Sequence, residues 1–269
     1  MSFNSLWRGF GLTIFVSVAF LDTSCASGPT TKTVAESVQQ EQGALALAGY
    51  QQWEWLKSNC QNCEVLYLPE RAEVRTEKVE LFIQALAAHK ADLIALYHID
   101  GNEYNLLGHM AIGILGRESE FFTSPRYRLK EAFPSLVHVT KIIHAYLEGQ
   151  HSITVNSRGP TQIKVVPPLI AQNYQITSDN LYVPENAAVA TMGYLIEALA
   201  QLKKRIAVDH LDFIGPENYE DYLPYIYFGQ SKALVNHTAT PETNLYVQTM
   251  KKYMSWVEVY ERAVPLRND

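Results

Sequence analysis

The chain has 269 residues, 47% of them hydrophobic, and a formal net charge of −6. That apolar content suits a sizeable core and a single domain after processing. An acidic balance without clustered Lys and Arg argues against a phosphate-binding face, so no nucleic-acid partner is expected. The eight histidines include no His-Glu-x-x-His, and no Gly-x-Ser-x-Gly occurs, so metal-hydrolase and serine-nucleophile chemistries find no support and neither a cofactor nor a metal is expected.

Residues 1–26 have the build of a secretory signal: a lone Arg8, an apolar run from Phe10 to Leu21, then small residues. Two processing readings stay open. Cys25, after Leu21-Asp22-Thr23-Ser24, resembles the lipidated cysteine of a bacterial lipoprotein, and ordinary cleavage after Ala26 is the alternative. Lipidation is favoured, because Cys60 and Cys63 form a Cys-x-x-Cys pair and leave Cys25 single among the three cysteines. In an oxidising periplasm Cys60 and Cys63 are expected to form a local disulfide, since no second Cys/His pair has zinc-site spacing. The expected location is the periplasm, with attachment to the outer membrane through Cys25.

Residues 27–43 are polar and read as a flexible tether. Residues 44–100 read as an N-terminal helical extension, with Trp53 and Trp55 near its start, a helix from about Thr76 to His89, and a short apolar element from Ala91 to Ile99. Asp100-Gly101-Asn102 reads as a turn that ends this region, with a new helix starting near Tyr104. In that helix Leu107, Ala111, Ile114, Leu115 and Glu118 recur at three- and four-residue spacing, so the carboxylate continues an apolar stripe. Burial there would disfavour the charged form and raise the carboxyl pKa toward neutrality, as a proton donor requires. A glutamate paired with Arg117 or Lys164 is the plainer alternative.

Ser124-Pro125 reads as the close of that helix region, and Pro134 as the start of another with an apolar face from Leu136 to Leu147. Gly159-Pro160 forces a turn that presents Gln162 at a loop-to-helix junction. Pro184 opens a long helix, Glu185 to Ile206, with Tyr194 among apolar residues. The segment Asp221 to Phe228 is dense in tyrosine, and Thr240-Pro241-Glu242-Thr243 looks like a capped helix start running on to Val257. Helices dominate throughout.

Taken in order, Glu118-Ser119, Gly159-Pro160-Thr161-Gln162-Ile163, Gly193-Tyr194-Leu195, Tyr227-Phe228-Gly229 and Glu242-Thr243-Asn244-Leu245-Tyr246-Val247 resemble the motifs of the soluble lytic transglycosylase domain, a branch of the lysozyme-like superfamily. The resemblance covers about residues 104–260. It implies a mainly α fold of α+β lysozyme-like type, with a substrate cleft and at most a small β element, over residues 101–265. It also implies that Glu118 protonates the β-1,4 bond between N-acetylmuramic acid and N-acetylglucosamine and then acts as base, leaving a 1,6-anhydro end. Ser119, Gln162, Tyr194 and Tyr227 would contact the sugars, with Tyr225 the rival of Tyr227 for the place beside Glu118.

The chain departs from the family pattern in two ways. The stretch between Glu118 and Gln162 is longer than the family's, so residues 119–156 read as an insertion beside the cleft, and the Tyr-Asn-x-Gly loop is altered at Ile226 and Tyr227. No second carboxylate has an equal claim, because Glu120 would face elsewhere on a helix. Peptidoglycan glycan strands are the expected partner, and an envelope-spanning secretion or conjugation machine is a further candidate. The competing readings are a water-using muramidase, a non-catalytic wall-binding lipoprotein, and a toxin-neutralising or scaffold protein.

Overall fold

The computed structural model describes residues 64–132 and 157–262. The signal segment, Cys25, the tether, the Cys60/Cys63 pair and the helix expected after Pro134 lie outside the described residues. What is described is mainly helical. In chain order come strand β1 (Glu64–Pro69), then helices α1 (Glu77–Ala88), α2 (Lys90–Tyr97), α3 (Gly101–Ser119), α4 (Pro125–Ala132) and α5 (Pro168–Tyr174). There follow α6 (Pro184–Asp209), α7 (Tyr219–Tyr227), α8 (Ser231–Val235), α9 (Leu245–Met254) and strand β2 (Val257–Arg262). Among the described residues no helix is long and apolar enough to cross a membrane.

Helix α3 is the post around which the rest packs. Asp100 caps it, its Oδ1 accepting from the Asn102 N–H at 2.7 Å, so the turn signal is the helix's own first turn and the start near Tyr104 is corrected to Gly101. From Tyr104 to Gly116 every residue is buried. A helix enclosed on all faces sits inside a domain, so the stripe of Leu107, Ala111 and Ile114 understates its burial. Helix α9 lies against α3, and α6 packs on both α3 and α1. The approach of α9 needs glycine: a Cβ at Gly113 would stand 2.5 Å from Met254 Cγ.

The antiparallel β1–β2 ribbon was not foreseen. Glu64 stands opposite Arg262 and Pro69 opposite Val257, and the Glu70 N–H extends the pairing to the Trp256 carbonyl at 2.8 Å. Tyr67 pins the ribbon to α3, donating its hydroxyl to the Asn105 carbonyl at 2.8 Å and stacking with His109. Tyr67, Phe82 and Leu86 share one buried cluster with Met110 and Ile114.

Two helix ends also differ from expectation. Ser124-Pro125 opens α4 instead of closing a helix region, with Ser124 Oγ accepting from the Tyr127 N–H at 3.2 Å. Asn244, not Thr240, caps α9, accepting from the Tyr246 and Val247 N–H groups at 2.9 and 3.3 Å. Thr240 instead closes a turn with Thr243, and Val257 belongs to β2.

Candidate functional site at the end of the central helix

Helix α3 stops in an unusual way. Glu120, Phe121 and Phe122 hold φ of 49°, 57° and 67°, three consecutive non-glycine residues in the left-handed region. Each costs about 1–2 kcal/mol relative to right-handed backbone. Burial offsets that cost: Phe121 and Phe122 are buried, with Phe121 edge-on to Tyr253 at 5.5 Å and Phe122 edge-on to Tyr127 at 5.8 Å. Ser119 ties the reversal together, donating to the Leu115 carbonyl at 2.8 Å and accepting from the Phe122 N–H at 3.2 Å.

The reversal opens a pocket of about 530 Å³. Arg117, Glu118 and Glu120 line it from the end of α3, Arg126, Tyr127 and Lys130 from α4, and Ser157 and Gln162 from the turn beyond. Glu118 is half-buried on this wall, two residues past the enclosed run from Tyr104 to Gly116, not sealed among aliphatic side chains. Glu120 faces the same pocket, which corrects the expectation that it points elsewhere. Regular helical geometry no longer governs position 120, because the chain has already left the helix.

Two tyrosines stand behind Glu118. The Tyr246 hydroxyl is buried beside the Glu118 carboxylate, although no hydrogen bond of standard geometry closes between them. Burial first, then the Glu118 charge, pushes its pKa well above the ordinary 10.0, so it stays a neutral O–H dipole. Tyr227 is raised for the same reasons in the same order. Its hydroxyl donates to the Thr161 carbonyl at 2.6 Å, so Tyr227 braces the turn that carries Gln162 and has no proton left for a ligand. Tyr225 points away, accepting from the Thr240 N–H at 3.0 Å.

Gln162 sits in a tight turn closed by mutual backbone hydrogen bonds of Arg158 and Ile163 at 2.8 and 3.0 Å. This is not a loop-to-helix junction, since the next helix begins at Pro168. Gly159 is required there: its φ is 72° and a Cβ would lie 2.6 Å from the Leu181 carbonyl oxygen. The Gln162 Oε1 accepts from Lys130 Nζ and from Ser157 Oγ at 3.0 Å, and Nε2 donates to the Gly159 carbonyl at 2.7 Å. A primary amide has two N–H groups, so one is left for a ligand.

The structure thus brings Glu118 and Gln162 to one pocket, with Tyr227 behind them. Ser119, expected to contact the sugars, is fully buried with its hydroxyl committed to backbone, so it shapes the reversal. Tyr194 packs edge-on against Tyr227 at 5.1 Å and does not line the pocket. Sequence reasoning missed Glu120, Arg117, Arg126, Lys130 and Tyr246 as site residues. Tyr246 alone carried a signal, as part of the last motif. Among the described residues no group of three or more His, Cys, Asp or Glu side chains converges to hold a metal ion. The chain matches no family model, no curated protein and no solved structure.

Proposed function

We propose that this pocket is the site of a peptidoglycan lytic transglycosylase with Glu118 as general acid and base. The observation that supports the reading is the convergence of a half-buried carboxyl and a fixed amide on one sugar-sized cavity, with a buried neutral tyrosine hydroxyl behind the carboxyl. Glu118 gives its proton to the glycosidic oxygen as the bond to the muramoyl anomeric carbon breaks. The C6 hydroxyl of that sugar then attacks the same carbon and returns its proton to Glu118, which restores the acid and leaves a 1,6-anhydro end. An internal nucleophile removes the need for a second carboxylate. The Tyr246 dipole favours the Glu118 carboxylate that exists between the two proton transfers, and the uncommitted Gln162 N–H holds a sugar carbonyl or hydroxyl.

The presence of Glu120 on the same pocket favours a second reading, a muramidase in which a second carboxylate activates water. Mass spectrometry of muropeptides released from purified sacculi distinguishes the two: anhydro ends support the transglycosylase and reducing ends the muramidase. Release of no fragments, with wall binding unchanged in E118Q, would leave a non-catalytic binder. The same proposal sets the working compartment as the periplasm, with Cys25 as lipid anchor to the outer membrane and an envelope-spanning secretion or conjugation machine as a candidate partner.

A further inference from the structure

Among the described cations, Lys78 pairs with Glu131 at 2.7 Å, Lys251 with Asp221 at 2.8 Å, Arg205 with Asp209 at 3.3 Å, Arg158 with Asp179 and Lys203 with Glu103. Arg117 and Arg126 are not among these pairs. Both line the pocket, and neither is closed into an ion pair with another described residue, although Glu118 and Glu120 share the same wall. The Arg117 guanidinium rests 5.1 Å from the centre of the Tyr246 ring, and its buried Nε has no hydrogen-bond partner. Arg126 reaches the pocket from the first turn of α4, within the segment that reads as an insertion.

We infer that Arg117 and Arg126 together bind a carboxylate of the substrate, so that the pocket selects acidic glycan strands over neutral ones. Guanidinium groups suit this task because their donors match a carboxylate in fork geometry. The inference rests on the glycan reading of the pocket, and narrows it to strands with ionised substituents. Two sources supply the same chemistry: the lactyl carboxylate of strands stripped of peptide, and the free carboxylates of the stem peptides on intact strands.

Binding is measured on the full chain carrying E118Q, so that strands are held and not cut. The probes are peptide-stripped strands, the same strands with carboxyls converted to amides, peptide-bearing strands, and chitohexaose. Stripped or peptide-bearing strands are expected to bind about tenfold or more tightly than their amidated form or chitohexaose. Which of the two binds better identifies the source. In R126A/E118Q and R117A/E118Q that ratio falls toward one, while thermal melting of the surface variant R126A matches the parent. Added salt shrinks the ratio in the parent.

Equal affinity before and after amidation overturns the inference, and binding of no strand overturns it together with the glycan reading. The two readings fail separately in other outcomes. Wild-type protein that releases no fragments while E118Q keeps the carboxylate preference loses the catalytic assignment alone. Cleavage by wild type with no effect of amidation loses only the role of the arginines.

Discussion

From Tyr104 to Gly116 helix α3 is enclosed on every side, and its polar groups are matched, as when the Asn105 Oδ1 accepts from Lys90 at 2.9 Å. Arg117, Glu118 and Glu120 follow directly and line a pocket, with Arg117 over the Tyr246 ring. The same helix therefore supplies both a rigid post and a charged tip. The contrast teaches that packing beside the tip keeps its charged groups turned to the pocket. Phe121 and Phe122 lock the left-handed reversal, and Ser119 secures it with hydrogen bonds, so the tip is presented without freedom to relax.

Variants at the tip and in the interior should then separate activity from stability. The largest effect is expected for E118Q, which should lower muropeptide release by about 10²–10⁴-fold while the melting temperature stays within error of wild type. Unchanged release would remove Glu118 from the chemistry. Alkaline pH comes next and acts on both regions. Tyr67 in the interior and Tyr227 and Tyr246 at the tip have pKa values raised by burial, so the folded state keeps protons that the unfolded chain loses above its ordinary value of 10.0. Stability from these groups is complete below that pH and declines above it, by up to about 1.4 kcal/mol per tyrosine for each pH unit. Urea midpoints measured from pH 8 to 11 should fall accordingly, and a flat profile would mean that these hydroxyls ionise freely in the native state.

Gly113→Val inserts side-chain atoms where Met254 and the Met250 carbonyl already stand, at 2.5 and 3.0 Å from a Cβ. Overpacking should cost about 1–3 kcal/mol in a denaturant titration and leave the affinity of surviving folded protein unchanged. Ser119→Ala removes the tie across the reversal and should destabilise by about 1–2 kcal/mol. If its main effect were instead on sugar affinity, the structural assignment of Ser119 would be wrong. The smallest effect belongs to Tyr246→Phe. With no standard hydrogen bond to lose, stability should change by less than about 0.5 kcal/mol, whereas release should slow by about fivefold as the dipole beside Glu118 disappears.

Much of the helical framework was readable because it is carried by periodicity and caps. Thr76 and Val79, Phe82 and Leu86 placed α1 almost to the residue, since the Thr76 Oγ1 accepts from the Val79 N–H and the apolar residues share one face. Pro184 marked the start of α6 in the same local way. The failures are nonlocal. Leu66 and Tyr260 pair across nearly the whole described body, and neither segment carries a turn signal pointing to the other. The site divides along the same line. Gln162 was found because Gly159-Pro160 is a local turn signal and stands within one of the resembling motifs. Glu120 was missed because three successive side chains adopt that conformation without glycine, held by tertiary packing of Phe121 and Phe122 that no local pattern encodes.

The ribbon that joins β1 to β2 has a mechanical consequence. Glu64 and Arg262 form its outer rung and Pro69 and Val257 its inner one, so the chain enters and leaves at the same end of the ladder. A pull on those two ends loads the rungs one at a time, as a zipper is opened, and not all together in shear. Force would therefore peel the ribbon away as far as Tyr67, whose anchorage on Asn105 becomes the point where resistance to stretching begins.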